Sequence, residues 1–132
     1  MTFFSVGSAD LMRRNNALAE VDGIPTHELA DQKYDIEVML QCCDAEEENY
    51  WRQPGGRRLC AAPYYFMRAA ILHRKLKEYA EEIAICKRWK AIAANYASQA
   101  IVKSGRAAQN HKGSGEQITA RIPKARELLK NQ

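Results

Sequence analysis

The sequence predicts a small all-α protein, a bundle of about five helices built around an antiparallel helical hairpin. Three observations predict this class. The 132 residues are enough for one helical domain, which we place over residues 1–132. Alanine, the strongest helix former, occurs 20 times, whereas β-branched residues are few. The 7 glycines and 4 prolines are too few for a loop-rich β-sandwich.

Two predicted helices occupy the acidic half, residues 1–50. Residues 8–22 form the first helix, with Ser8 as its N-cap and Gly23 at its end. Thr26 caps a second helix that extends to about residue 50. Within it, residues 34–42 also alternate between apolar and polar side chains, as a strand would. We favour the helix, because no other strand is available to pair with this segment.

Residues 52–62 form a connector in which Pro54, Gly55 and Gly56 cannot continue a helix. Arginines flank these residues, so the segment has the glycine and the charge of a phosphate-binding loop. It lacks the GxxxxGK[ST] pattern and a preceding strand, and we therefore predict an ordinary turn.

A basic helical hairpin is predicted over residues 62–102. Tyr64, Met67 and Ile71 share one face of its first helix, and Tyr79 and Ile83 begin the apolar face of its second. A very short turn separates the two helices, so they must be antiparallel neighbours.

The stretch AAILHRKLKEYAEEIAICKRW resembles the helical hairpin of a tetratricopeptide repeat, and the resemblance covers residues 62–97. Ala70 fits the small residue of the first helix, and Tyr79 fits the aromatic residue that opens the second. Glu82 stands where that family has a small residue, and no second copy follows at the family's spacing. The resemblance implies a helical hairpin and a protein-binding scaffold.

The chain is predicted to end in a loop and a helix. Residues 103–115 contain three glycines and several basic side chains, which predicts a flexible basic loop. Residues 116–131 return to helical spacing. Pro123 must kink or restart that helix, because proline cannot donate to the preceding turn.

Charge divides the sequence. Residues 1–50 carry three basic and eleven acidic side chains, a net charge of −8, and residues 51–132 carry a net charge of +12. In one interpretation the halves pack together, with the acids of residues 44–48 against Arg52, Arg57 or Arg58. In the other, each half offers a charged face to a partner. We favour the first.

The sequence excludes several classes of protein. No run reaches about 18 apolar residues, so we expect no membrane partner. The first residues lack the pattern of a secretory signal, and the four cysteines are sparse, with two adjacent. Both observations favour a cytoplasmic protein with buried, reduced thiols. Without a CxxC pair we expect no metal site, and we expect no cofactor.

Function is predicted from what remains. No catalytic motif occurs and adjacent carboxylates on a helix do not converge, so we do not expect an enzyme. The prediction is a non-enzymatic interaction module, an adaptor or inhibitor, that binds a protein through an aromatic and basic helical face. The candidate contact residues are Tyr64, Tyr65, Arg68, Arg74 and Trp89.

Two alternatives remain open. The first is a basic nucleic-acid-binding module with weak, non-specific affinity. Its candidate residues are Arg57, Arg58, Lys103, Arg106 and Lys112. The second is a small inhibitor, of the kind that phages encode, which blocks a host nucleic-acid enzyme with its acidic half by imitating nucleic acid.

Overall fold

Helices dominate the chain, as its alanine content predicts. The computed structural model describes residues 18–105 and 114–132, is 68% helical, and confirms the all-α class. A sheet of two short strands, β1 and β2, precedes a 3₁₀ helix and the α-helices. The elements are β1 (Glu20–Val21), β2 (Ile24–Pro25), the 3₁₀ helix (Thr26–Leu29), α1 (Ile36–Arg52), α2 (Tyr64–Lys75), α3 (Tyr79–Ser98), α4 (Ala100–Lys103), α5 (Ser114–Ala120) and α6 (Ile122–Lys130).

The predicted first helix is wrong at its C-terminal end, and residues 8–17 of it lie outside the described residues. The chain at this point forms a β-hairpin, in which Val21 pairs with Ile24. Asp22 and Gly23 have φ angles of 50° and 81°, typical of a type I′ turn. Asp-Gly is among the dipeptides that favour this turn most, so Gly23 serves a hairpin rather than a helix end.

The second predicted helix begins later than expected. Thr26 does not cap it, because residues 26–29 form the 3₁₀ helix and α1 begins at Ile36. Asp35 is the true N-cap, and its side chain accepts a hydrogen bond from the Val38 amide at 3.2 Å. Residues 36–42 are helical, so the helical interpretation of this segment is confirmed and the strand interpretation is wrong.

The core lies between the long helices. α2 packs against α1 on one side and against α3 on the other, and α3 also contacts α5 and α6. Ala69 and Ala70 are fully buried on α2, where small side chains let neighbouring helices approach closely. Gly115 does the same for α5, since a Cβ there would lie 3.2 Å from the Trp89 ring. The largest fully buried side chains are Trp89, Tyr50, Phe66, Met39, Ile92 and Ile118.

The predicted hairpin, connector and kink are confirmed. Residues 76–78 alone separate α2 from α3, and residues 53–63 contain no helix. The C-terminal helix breaks at Arg121, and Pro123 lies in the first turn of α6. The predicted basic loop is shorter than expected, because α4 extends to Lys103 and α5 begins at Ser114. Residues 106–113 of it lie outside the described residues.

One basic side chain joins the acidic and basic halves. Arg88 on α3 pairs with Asp44 at 2.7 Å and with Glu47 at 2.9 Å, both on α1. Two of the acids at residues 44–48 therefore contact the basic half. Within the described ranges they do so through Arg88, and not through Arg52, Arg57 or Arg58 as predicted. No helix in those ranges combines the length and the apolar character needed to cross a bilayer.

Candidate binding surface and pocket

The five residues predicted to contact a partner do not share one surface. Trp89 is fully buried and packs at 5.5 Å, between ring centroids, from Phe66, and Tyr65 is only 3% exposed. Both aromatic side chains therefore belong to the core. Tyr64 is 39% exposed, and of the three predicted aromatic residues it alone offers its ring to solvent.

Arg74 is partly buried and pairs with a buried carboxylate. Its guanidinium lies 2.8 Å from Glu82, and Arg121 lies 2.9 Å from the same carboxylate. Glu82 itself is completely buried. Arg74 thus connects α2 to α3 and to the break between α5 and α6, which is a structural role.

Tyr64 and Arg68 do form part of an exposed cluster, together with two residues that precede α1. We call Lys33, Tyr34, Tyr64 and Arg68 the aromatic–basic surface. Arg68 donates to the Lys33 carbonyl through Nε at 3.1 Å and Nη2 at 2.8 Å. Its guanidinium lies 5.4 Å from the centre of the Tyr34 ring, and the Lys33 ammonium lies 5.3 Å from it. These are cation–π distances.

Two further contacts set the geometry of this surface. The Tyr64 hydroxyl donates to the Ala30 carbonyl at 2.9 Å, which fixes its ring beside the turn before α1. Tyr34 is 72% exposed, although its ring is flanked by cations. Sequence reasoning missed Tyr34, because the residue was assigned to a helix that in fact begins after it. Its position directly before the Asp35 N-cap, in the polar segment DQKYD, is the signal that places it in a surface turn.

The residues predicted to bind nucleic acid are differently placed. Arg58 lies 5.0 Å from the Trp51 ring, and its backbone amide donates to the Gln99 side chain at 2.6 Å. It fastens the connector to the end of α3. Arg57 and Lys103 are exposed, whereas Arg106 and Lys112 lie outside the described residues.

A separate pocket of about 270 Å³ lies between the residues that flank the β-hairpin, α1 and the connector. Glu46 from α1 is one of its walls and is only 7% exposed. Its carboxylate accepts hydrogen bonds from Thr26 Oγ1 at 2.7 Å and from the Ala62 amide at 3.2 Å. The other lining residues are Leu18, Ala19, His27, Asn49, Gln53, Leu59, Cys60 and Tyr65.

Burial dominates the electrostatics of this pocket. It raises the pKa of the Glu46 carboxyl, and the hydrogen bonds from Thr26 and Ala62 oppose that rise only in part. Burial also raises the pKa of the Tyr65 hydroxyl to about 12. Both groups therefore favour their neutral forms more than the same groups do in water.

Three of the four cysteine thiols, those of Cys42, Cys43 and Cys86, are in buried environments that suppress reactivity. Burial raises the pKa of Cys42 and of Cys86 to about 11, and it raises the pKa of Cys43 further. A thiol of raised pKa is a poor nucleophile at neutral pH, because the thiolate is the reactive form. Across residues 18–105 and 114–132, no three His, Cys, Asp or Glu side chains are grouped as a metal ion would require.

Comparison with known proteins identifies no relative of this chain. No protein family, no curated protein and no solved structure matches the chain. The resemblance of the α2–α3 hairpin to a tetratricopeptide repeat stays a prediction.

Proposed function

We propose that this protein is a non-enzymatic module, an adaptor or inhibitor, that binds another protein through the aromatic–basic surface. The observation that carries the proposal is Tyr34, which is 72% exposed while Lys33 and Arg68 both lie at cation–π distance from its ring. Tyrosine and arginine are enriched where protein interfaces gain most of their binding energy.

The surface is also held in place before any partner arrives. Arg68 makes two hydrogen bonds to the Lys33 carbonyl, and Tyr64 makes one to the Ala30 carbonyl. A side chain that is already ordered loses less conformational entropy on binding, so more of its contact energy contributes to affinity.

The charges around Tyr34 favour a protein over a nucleic acid. Lys33 and Arg68 flank the ring, but the open groove beside it is lined by Asp31, Asp35 and Glu37. These three carboxylates would repel a phosphate backbone. A protein surface of mixed charge can match both signs.

Pull-down from a native extract tests this function. The immobilised full chain is compared with Tyr34→Ala and Arg68→Ala, and with Leu76→Ala as a matched control, because Leu76 is 58% exposed at the hairpin turn. We expect one set of proteins to be retained by the wild type and by Leu76→Ala, to be lost from both surface variants, and to survive nuclease treatment. If the wild type and all three variants retained the same proteins, the assignment of the aromatic–basic surface would be contradicted.

Two further features belong to the proposal. Raised thiol pKa values and the lack of a catalytic motif support a non-enzymatic role. A cytoplasmic location is supported by Cys42, Cys43 and Cys86, whose thiols are buried and free. The inhibitor that imitates nucleic acid has less support, because Asp44 and Glu47 pair with Arg88 and Glu46 is buried.

A nucleic-acid-binding module is the second candidate, and one observation favours it. Trp51 is 41% exposed, with the Arg58 guanidinium 5.0 Å from its ring and Arg57 exposed nearby in the chain. Aromatic rings beside cations bind single strands by stacking. We expect only weak DNA or RNA binding that vanishes near physiological salt, because phosphate contacts release counterions. Affinity that persists there and falls in Arg57→Ala would place this function first.

A further inference from the structure

Glu46 is a buried carboxylate that the described part of the chain does not neutralise. It is 7% exposed, yet its contacts in residues 18–105 and 114–132 are a hydroxyl and a backbone amide, both uncharged. No lysine or arginine of these ranges pairs with it. Burial of a carboxylate is costly unless a cation or several hydrogen bonds compensate for the lost water.

The carboxylate retains capacity for further bonds. An ionised carboxylate has about four acceptor positions, and one bond to each oxygen of Glu46 leaves roughly half of them open. Because Glu46 lines the pocket, a molecule that enters it meets a carboxylate with unused acceptors.

The remaining walls restrict what can enter. Leu18, Ala19 and Leu59 are apolar, and a pocket of about 270 Å³ lies just below the usual range for small-molecule sites. Asn49, Gln53 and Tyr65 supply polar atoms, and all three side chains are at least nine-tenths buried. A short aliphatic chain with one N–H-rich cationic end satisfies both kinds of wall.

We propose that this pocket binds a small organic amine as its ammonium ion, with the cation against Glu46 and the aliphatic chain against the apolar wall. The ammonium supplies the countercharge that Glu46 lacks among the described residues, because Arg52, beside the pocket, donates to the lining residue Asn49 at 2.7 Å and not to Glu46. The ammonium N–H groups occupy open acceptor positions of the carboxylate in a charge-assisted hydrogen bond.

The test uses the full chain and three probes followed by calorimetry. n-Butylammonium carries the charge and the N–H donors, n-butanol is its neutral counterpart, and tetramethylammonium has the charge without donors. We expect saturable binding of n-butylammonium and at least about tenfold weaker binding of both other probes, because a charge-assisted hydrogen bond contributes more than a neutral one. Binding should also tighten as the pH rises, because the ionised form of Glu46 is the binding form.

Variants assign the binding to Glu46. We expect Glu46→Gln to weaken n-butylammonium binding at least about tenfold and Glu48→Gln, an exposed residue of the same helix, to leave it unchanged. Equal affinity of the wild type and Glu46→Gln would overturn the proposal. If Glu46→Gln fails to fold, the comparison of the probes on the wild-type protein decides. The proposal would be overturned if n-butanol bound as tightly as n-butylammonium, or if n-butylammonium showed no saturable binding.

Discussion

Glu46 and Glu82 are two buried glutamates with opposite surroundings. Glu82 is completely buried and meets Arg74 at 2.8 Å and Arg121 at 2.9 Å. Glu46 is 7% exposed and meets a threonine hydroxyl and a backbone amide. One carboxylate is neutralised by two cations, and the other shares only uncharged donors within the described residues.

The two carboxylates also join different parts of the fold. Glu82 on α3 holds Arg74 of α2 and Arg121 between α5 and α6, so its bonds join the hairpin to the C-terminal helices. Glu46 joins the β2 end and the connector to α1, but it does so beside an open pocket. Glu82 is therefore part of a structural ion-pair cluster, whereas the proposed amine site would give Glu46 the cation that it lacks among the described residues.

Removing the charge of Glu82 should have the largest effect. Glu82→Gln leaves two partly buried guanidinium groups without a countercharge, so we expect the free energy of unfolding to fall by about 3 kcal/mol or more. Urea denaturation followed by circular dichroism measures this, with the exposed neighbour Glu81→Gln as control. A loss no larger than that of Glu81→Gln would show that the arginines do not depend on Glu82.

Removing the charge of Glu46 should have a smaller effect that depends on pH. The pKa of Glu46 is raised in the folded protein, so its stabilising contribution is complete below the ordinary glutamate pKa and is lost as the pH rises through the raised value. Glutamine does not titrate. The stability of Glu46→Gln should therefore improve relative to the wild type as the pH rises, by about 1.4 kcal/mol for each unit by which the folded pKa exceeds the unfolded one.

Thermal melts from acidic to neutral pH check that sign, with Glu48→Gln as the control that should follow the wild type throughout. The stability difference between Glu46→Gln and the wild type could instead be constant with pH or change in the opposite direction. Either result would mean that the charge of Glu46 is stabilised in the folded protein as fully as that of Glu82.

We expect the smallest effect from the partly exposed ion pairs of Arg88, which serve as a reference for the two buried carboxylates. Arg88 pairs with Asp44 and Glu47 while about a third of its own side chain is exposed. We expect Arg88→Gln to lower stability by at most about 1 kcal/mol and added salt to shrink the difference, because solvent and ions screen such pairs. Chemical denaturation at low and high salt measures both. A loss as large as that of Glu82→Gln would remove the distinction between the buried and the exposed charges.

Helix positions were predictable where local patterns decide them. The hairpin around α2 and α3 follows from apolar spacing and from the short turn at residues 76–78, and the break before α6 follows from Pro123. The β-hairpin was missed, although Asp22-Gly23 signals it, because Gly23 also suits the end of a helix.

The sequence could not predict which charged side chains are buried, because burial and pairing depend on contacts between residues far apart in the chain. Glu46 stands among three consecutive glutamates, of which only this one turns inward, towards Thr26 twenty residues earlier in the chain. Glu82 is buried beside Arg121, which follows it by 39 residues and donates to its carboxylate at 2.9 Å. Trp89 was expected at a contact surface, but an aromatic residue on an amphipathic helix fits a core equally well.

Direct titration of Glu46 tests the contrast between the two carboxylates. The carboxyl carbon of Glu46 is followed by NMR over pH, assigned through Glu46→Gln, with and without n-butylammonium. We predict a pKa above the ordinary glutamate value in the free protein, because burial favours the neutral acid, and a lower pKa when the cation is bound. A Glu46 pKa at or below the ordinary value in the free protein, unchanged by the cation, would show that the carboxylate is already neutralised and would contradict the account.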